Sequence, residues 1–435
     1  MTVIASDRIR PGLPEKLTIT LWDFSWYVRT GPGEPFADLD RAFTDAVHRG
    51  YNTIRICAMP LLLFRSGLAT EHFRLEPLGG GTPGSGGVGR RTRWYDVAQP
   101  TVINAREQLL ELFRAARRHD CFVIISSWEY QQSPAFAAEP GWHEALQAID
   151  PEQRPDALAD AQADLIDLLI AEGLDDRIAF TELHNEVVTG HLTADLEHRR
   201  GPEALIGLKP RLTAAIDRFH DRHPTQPCTV NYAGVPTGAM RGIPDNVDVL
   251  VCHPYVYGVL DDLIDTFGIR RPVADFDPAG VAELLQPQAP PFDSWRPAGV
   301  DHWKENASIV NRVEMYVHDW CDAEAFDRWL YDHYQVHRIA MRQRLSEWIE
   351  VAADWAVGHD VPLVFGEGWV GYTPADGRFE EGPVGAEFCR LAMAESARVG
   401  AWGSIVCSNA APQHAMWADI ELQQQCNAIF ASVHP

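Results

Sequence analysis

"TELHNEVV" (181–188) sets an amide, Asn185, beside a carboxylate, Glu186, just after the apolar run Ile178-Ala179-Phe180. A short apolar run of this kind reads as a strand buried on both faces. A buried strand that finishes on polar groups carries them to its lip, where α/β folds keep their chemistry. "LVFGEGW" (363–369) repeats the pattern and puts Glu367 just past a second apolar run.

Working outward, six more runs read as strands: "LTITLWD" (17–23), "NTIRICA" (52–58), "CFVIISSW" (121–128), "PCTVNYA" (227–233), "NVDVLVCHPY" (246–255) and "AWGSIVCSN" (401–409). Amphipathic helices are predicted between them over 37–51, 104–120, 156–174, 204–224, 345–360 and 385–400, with Gly50 and Gly173 as stops. The link between strands five and six has room for about one helical turn. Eight strands separated mostly by helices imply right-handed parallel crossovers, and eight is the number that closes a (β/α)8 TIM barrel. The expectation is one catalytic domain over residues 1–435. A doubly wound sheet is the alternative, but "WDFSWYVRTGPGEP" after the first strand is no GxGxxG. Two long insertions interrupt the rhythm, 59–103 after strand two and 256–344 after strand six. The first holds "GGGTPGSGGVG" (79–89), read as a mobile loop. The second holds a Pro-rich stretch (287–297) and a helical region around 326–345. Insertions that follow strands lie on the catalytic face of a barrel, so both are expected to roof a cleft.

Composition narrows the partners. The 435 residues carry 61 acidic and 37 basic side chains, a net charge of −24, with no dense basic stretch. Nucleic acid and anionic membrane surfaces are therefore not expected, because both need clustered Lys and Arg. No run approaches the roughly 18 apolar residues of a membrane span, and no signal-peptide core opens the chain. The eight cysteines include no CxxC pair, and Cys57, Cys228, Cys252 and Cys407 sit in or beside strand-like runs. They read as buried thiols in a cytoplasmic protein.

In a closed eight-stranded barrel the ends of strands four and seven face each other across the centre. Two carboxylates there suit glycoside hydrolysis, one protonating the leaving oxygen and one attacking the anomeric carbon. A retaining mechanism asks for about 5–5.5 Å between them. The short motifs then resemble the retaining (β/α)8 glycoside hydrolases of clan A, above all the cellulase-like family five. That resemblance makes Glu186 of "HNEV" the acid/base and Glu367 of "FGEGW" the nucleophile. It makes Arg55 of "NTIRI" the partner of the nucleophile, which a guanidinium suits. It gives His253 and Tyr255 of "HPY" positioning roles. Glu182 matches a second acidic position of strand four, and Asn185 is placed to hold a sugar 2-hydroxyl. The resemblance favours β-glycosides, and cytosolic placement under large loops favours small glycosides or oligosaccharides.

The chain departs from the family pattern at "SSWEY" (126–130), where His residues are common, and at "VCSNAAPQ" (406–413), where Trp is common. Val187 stands where Pro is common. Trp128, Glu129, Ser408 and Asn409 are expected to reshape the pocket. Among fourteen Trp residues, Trp22, Trp26, Trp128, Trp369 and Trp417 lie near strand ends. Aromatic faces suit sugar C–H surfaces, so Trp26, Trp128, Trp369 and Asn409 join the expected sugar-binding set. No cofactor or metal is expected. Two rival readings remain: a sugar-binding barrel without turnover, and a metal-dependent isomerase or amidohydrolase barrel using Asp23, His184, Glu186 and His253.

Overall fold

A computed structural model describes residues 9–77, 88–89, 91–92, 99–296, 299–374 and 376–432. Its strands are β1 (Leu17–Asp23), β2 (Thr53–Ala58), β3 (Phe122–Ser127), β4 (Ile178–Glu182), β5 in two pieces (Cys228–Thr229 and Asn231–Ala233), β6 (Leu250–His253), β7 (Leu363–Phe365) and β8 (Gly403–Ile405). Every pairing between them is parallel. β8 returns to β1 through Leu17 opposite Gly403. The first piece of β5 pairs with β4, and the second pairs with β6. Val230 separates the two pieces, so nine strand segments make an eight-strand TIM barrel. β1 to β4 are buried along their whole length. That is why they read as near-continuous apolar runs without alternation.

The surrounding helices are α1 (Leu39–His48), α2 (Ala105–Arg118), α3 (Arg154–Ala171), α4 (Gly201–Arg222), α5 (Ala323–Gly358), α6 (Pro383–Arg398) and α7 (Ile420–Ser432). Asp38 and Asn104 cap α1 and α2 by accepting the amides of Arg41 and Glu107. Gly50 and Gly173, two residues beyond α1 and α3, take the left-handed φ (+87° and +65°) that ends a helix cheaply only at glycine. Between β5 and β6 there is one 3-10 turn, Met240–Gly242.

One expectation needs correction. The helical region around 326–345 and the helix over 345–360 are a single 36-residue helix, α5. Asp322 starts it by accepting the amides of Glu324 and Ala325, and neither Gly nor Pro interrupts it before Gly358. The second insertion thus runs without a break into a barrel helix. The first insertion contains an antiparallel ribbon, Phe73–Leu75 against Thr101–Ile103. The Gly-rich tract lies outside the described residues except for Val88 and Gly89. The two insertions meet where the amides of Gly89 and Arg91 donate to Asp319, at 2.6 and 2.8 Å. All eight cysteines are free and buried. Among the described residues no helix is long and apolar enough to cross a membrane.

Candidate active site

The C-terminal strand ends open into a cavity of about 730 Å³. Its floor includes Asp23, Trp128, Asn185, Glu186, Tyr255 and Glu367. One wall comes from the second insertion, through Tyr257, Arg270 and Val310 among others. The described residues of the first insertion do not border it.

Arg55 organises this floor. It projects from β2 with a wholly buried side chain. Its guanidinium donates to Glu182 Oε2 at 2.7 Å, to Asn185 Oδ1 at 2.8 Å and to Glu367 Oε1 at 2.8 Å. It also lies over the Trp128 ring, 4.7 Å from the centroid. Burial alone would lower the guanidinium's pKa, but Glu182 and Glu367 hold it above its ordinary value.

Glu367 lies two residues past β7. Besides Arg55, the Tyr255 hydroxyl donates to its Oε2 at 2.7 Å. The Tyr255 oxygen also meets Ser408 Oγ at 2.6 Å and the Tyr372 hydroxyl. Both oxygens of Glu367 are therefore fixed by donors that are themselves fixed.

Glu186 lies four residues past β4, in a turn with a left-handed φ of +40°. That conformation is costly for a residue with a Cβ. It is held because the Glu186 amide donates to Asn231 Oδ1 at 2.5 Å, while Asn231 Nδ2 donates to Glu182 Oε2 at 2.7 Å. Asn231 thus ties the turn to the Arg55 cluster. Burial pushes the Glu186 carboxyl up to about 7, against the opposing pull of the Thr189 hydroxyl and Arg55. The two carboxyl groups consequently sit in different environments.

His253, ending β6, bridges them. Its Nδ1 is 3.2 Å from Glu186 Oε1 and 3.5 Å from Glu367 Oε1. Burial pushes the ring down to about 4, so it is neutral, and Nδ1–H donates. One oxygen of each carboxylate and one His253 nitrogen lie within 4.8 Å of one another.

Gly366 makes this packing possible. A Cβ there would stand 3.0 Å from His253 Nε2 and 3.2 Å from Arg55 Nε. Gly366→Ala should therefore displace both side chains and lower whatever activity this cluster supports by on the order of 10²-fold, since small misplacements of catalytic groups cost that much. Unchanged activity would show that the cluster tolerates the shift.

The structure brings together Arg55, Asn185, Glu186, His253, Tyr255, Glu367 and Trp128. It does not bring in Trp26, Trp369 or Asn409. Trp26 is wholly buried and donates its indole N–H to the Cys57 carbonyl at 2.9 Å. Trp369 is 1% exposed and donates to the Val406 carbonyl at 2.8 Å. Asn409 is 1% exposed and does not line the cavity. Glu129 is also no pocket residue. Its carboxylate accepts the amides of Leu61 and Leu62, at 3.0 and 2.8 Å, and so holds the short helix Pro60–Phe64. Trp348 of α5 borders the cavity instead, as do Gln131, Thr189 and Tyr372. A polar Asn inside the apolar "TVNYA" was the one sequence signal for Asn231.

The metal set of Asp23, His184, Glu186 and His253 is not assembled. His184 Nδ1 donates to the Asn185 carbonyl, and Nε2 accepts the Tyr130 amide. Glu186, His253 and Glu367 are close enough to share a cation, but the Arg55 guanidinium already holds Glu367.

A family model described as sugar-binding cellulase-like matches residues 19–186, from within β1 to Glu186. A candidate glycoside hydrolase from Parabacteroides distasonis superposes over 96% of this chain and 94% of its own, with a TM-score of 0.65 at 19% identity. The fold is that of the cellulase-like glycoside hydrolases. Looser likenesses to this cellulase-like barrel include an endo-β-1,4-mannanase from Thermotoga petrophila (12% identity, 96% of this chain and 77% of that one, TM-score 0.49). A glycoside hydrolase family 5 mannosidase from Rhizomucor miehei is another (10% identity, 99% and 97%, TM-score 0.45). No curated protein sequence matches the chain.

Proposed function

We propose that the chain is a retaining glycoside hydrolase acting on β-linked glycosides or small oligosaccharides by double displacement, without a catalytic metal. The observation that carries this reading is the approach of Glu186 and Glu367 oxygens to within 4.8 Å. An approach that close between single oxygens is compatible with the roughly 5–5.5 Å that separates the carboxyl groups of retaining pairs. In the first step Glu367 attacks the anomeric carbon while Glu186 protonates the departing oxygen. In the second, Glu186 takes a proton from water, the water oxygen attacks the same carbon, and Glu367 leaves. Arg55 and Tyr255 aim Glu367 at the carbon. Asn185, whose Nδ2 donates to Gln131 at 3.1 Å, stands at the floor to meet a ring hydroxyl.

The different settings of the two carboxyl groups match these roles. Glu186 must carry a proton at the start, and burial keeps it protonated up to about pH 7. With a substrate whose leaving group needs that proton, kcat/KM should fall about tenfold per unit as pH rises above 7. Glu186→Gln, assayed on an activated aryl glycoside, should lack this limb. A limb that persists in the variant would assign it to another group. The direct test of the reading itself is turnover of a panel of 4-nitrophenyl glycosides by the purified protein. Hydrolysis of at least one supports it, and sugar binding without any hydrolysis rejects it.

A further inference from the structure

The double displacement gives no task to the mouth of the cavity. The carboxylates Asp23, Glu186 and Glu367 lie at the strand-end floor, whereas the three basic residues that line the cavity, Arg200, Arg270 and Arg271, are all exposed. They come from two Arg-Arg steps. "HRRG" (198–201) closes the loop between β4 and α4, and "IRRP" (269–272) follows the short helix Val259–Phe267 of the second insertion.

The three are not equivalent. Arg270 lies over the Tyr257 ring, 4.8 Å from its centroid, and donates to Glu314 Oε1 at 3.2 Å. Asp261 also feels its charge. Arg270 is thus a neutralised part of the wall. Arg200 and Arg271 have no acidic partner among the described residues. Arg271 packs back over Gly268, where a Cβ would stand 2.9 Å from its Cδ. A chain of net charge −24 repels anions at long range, so two uncommitted guanidinium groups on one cavity reverse the sign locally. Their forked donors match the oxygens of carboxylate and phosphate.

The side of the bond can also be read. Glu186, which protonates the departing oxygen in the proposed reaction, stands in the loop that Arg200 closes. Val188 and Thr189 of that loop continue the cavity wall beyond Glu186. The departing group therefore leaves along this wall, toward the arginines.

We propose that Arg200 and Arg271 form a subsite for an anionic group, a carboxylate, sulfate or phosphate, carried by the departing part of the substrate. This rests on the glycosidase reading and narrows it to acidic oligosaccharides or glycosides with an acidic leaving group.

The test uses the sugar that the 4-nitrophenyl panel identifies, β-linked to methyl glucoside, to methyl glucuronide, and to the 6-sulfate and 6-phosphate of methyl glucoside. The wild type should favour at least one acidic disaccharide over the neutral one by roughly 5- to 25-fold in kcat/KM, about fivefold for each solvated ion pair. Added salt should shrink the preference. The largest gain among the three acidic forms identifies the group. In Arg200→Gln/Arg271→Gln the ratio of acidic to neutral should fall to about one, and Lys at both positions should keep part of it. Circular dichroism verifies folding. A neutral disaccharide as good as all three acidic ones would overturn the subsite, as would a preference that survives in the double Gln variant. Calorimetry with the four free methyl glycosides runs the comparison without turnover. Acid-selective binding that needs the two arginines, with no hydrolysis of any glycoside, would keep the subsite and reject the glycosidase reading. Hydrolysis indifferent to the acidic group would do the reverse.

Discussion

Glu367→Ala is expected to lower kcat by roughly 10⁴- to 10⁶-fold, the scale for deleting a nucleophile that works as part of a unit. The loss should be chemical, not structural. Arg55 keeps Glu182 and Asn185 when Glu367 is removed, and Tyr255 keeps Ser408 and Tyr372. No buried charge is stranded, so circular dichroism and the melting transition should change little. The space left beside the anomeric carbon should admit azide. On an activated glycoside, azide should then restore turnover and give a glycosyl azide of inverted configuration, because only one displacement occurs. Near-normal activity in Glu367→Ala would mean that another group attacks.

Arg55→Ala should produce the largest loss of stability. The guanidinium holds two carboxylates, and Glu182 is wholly buried. Deleting one member of a buried pair leaves the other charge uncompensated, at about 3–5 kcal/mol. Glu182 would retain Asn231 as a donor, which is too little to replace a guanidinium. Urea denaturation should read the loss. Adding Glu182→Gln to Arg55→Ala should recover part of it, since the stranded carboxylate is then neutral, and the double-mutant cycle gives the coupling. A loss under about 1 kcal/mol would show that water reaches Glu182 and that the cluster is not the barrel's internal brace.

Much of this was legible in the chain itself. The barrel strands were readable because parallel strands buried on both faces leave short apolar runs. Glu186 and Glu367 were readable because a carboxylate just past such a run has few structural reasons to be there. The partners were harder. Asn231 reaches the site from β5, and Gln131 and Tyr372 from separate loops, and no local pattern says which side chains converge. The tryptophans show the limit most plainly. Trp26, Trp369 and Trp128 all follow strand ends, yet only Trp128 turns its ring to the cavity. The other two spend their indole N–H on backbone carbonyls, and the cavity gains Trp348 from the middle of a long helix. Side-chain direction depends on the local backbone, which spacing alone does not encode. The long helix was read as two pieces because its apolar stripe changes partner from the insertion to the barrel without a break in the chain.

The central claim is that Glu186 and Glu367 act as a nucleophile and acid/base pair on one carbon. Proton NMR of the first sugar released, recorded before mutarotation, tests it most directly. Two displacements invert the anomeric carbon twice, so a β-glycoside should first give the β-sugar. The α-sugar as first product would contradict the claim. Water would then attack directly, and Glu367 would be its base.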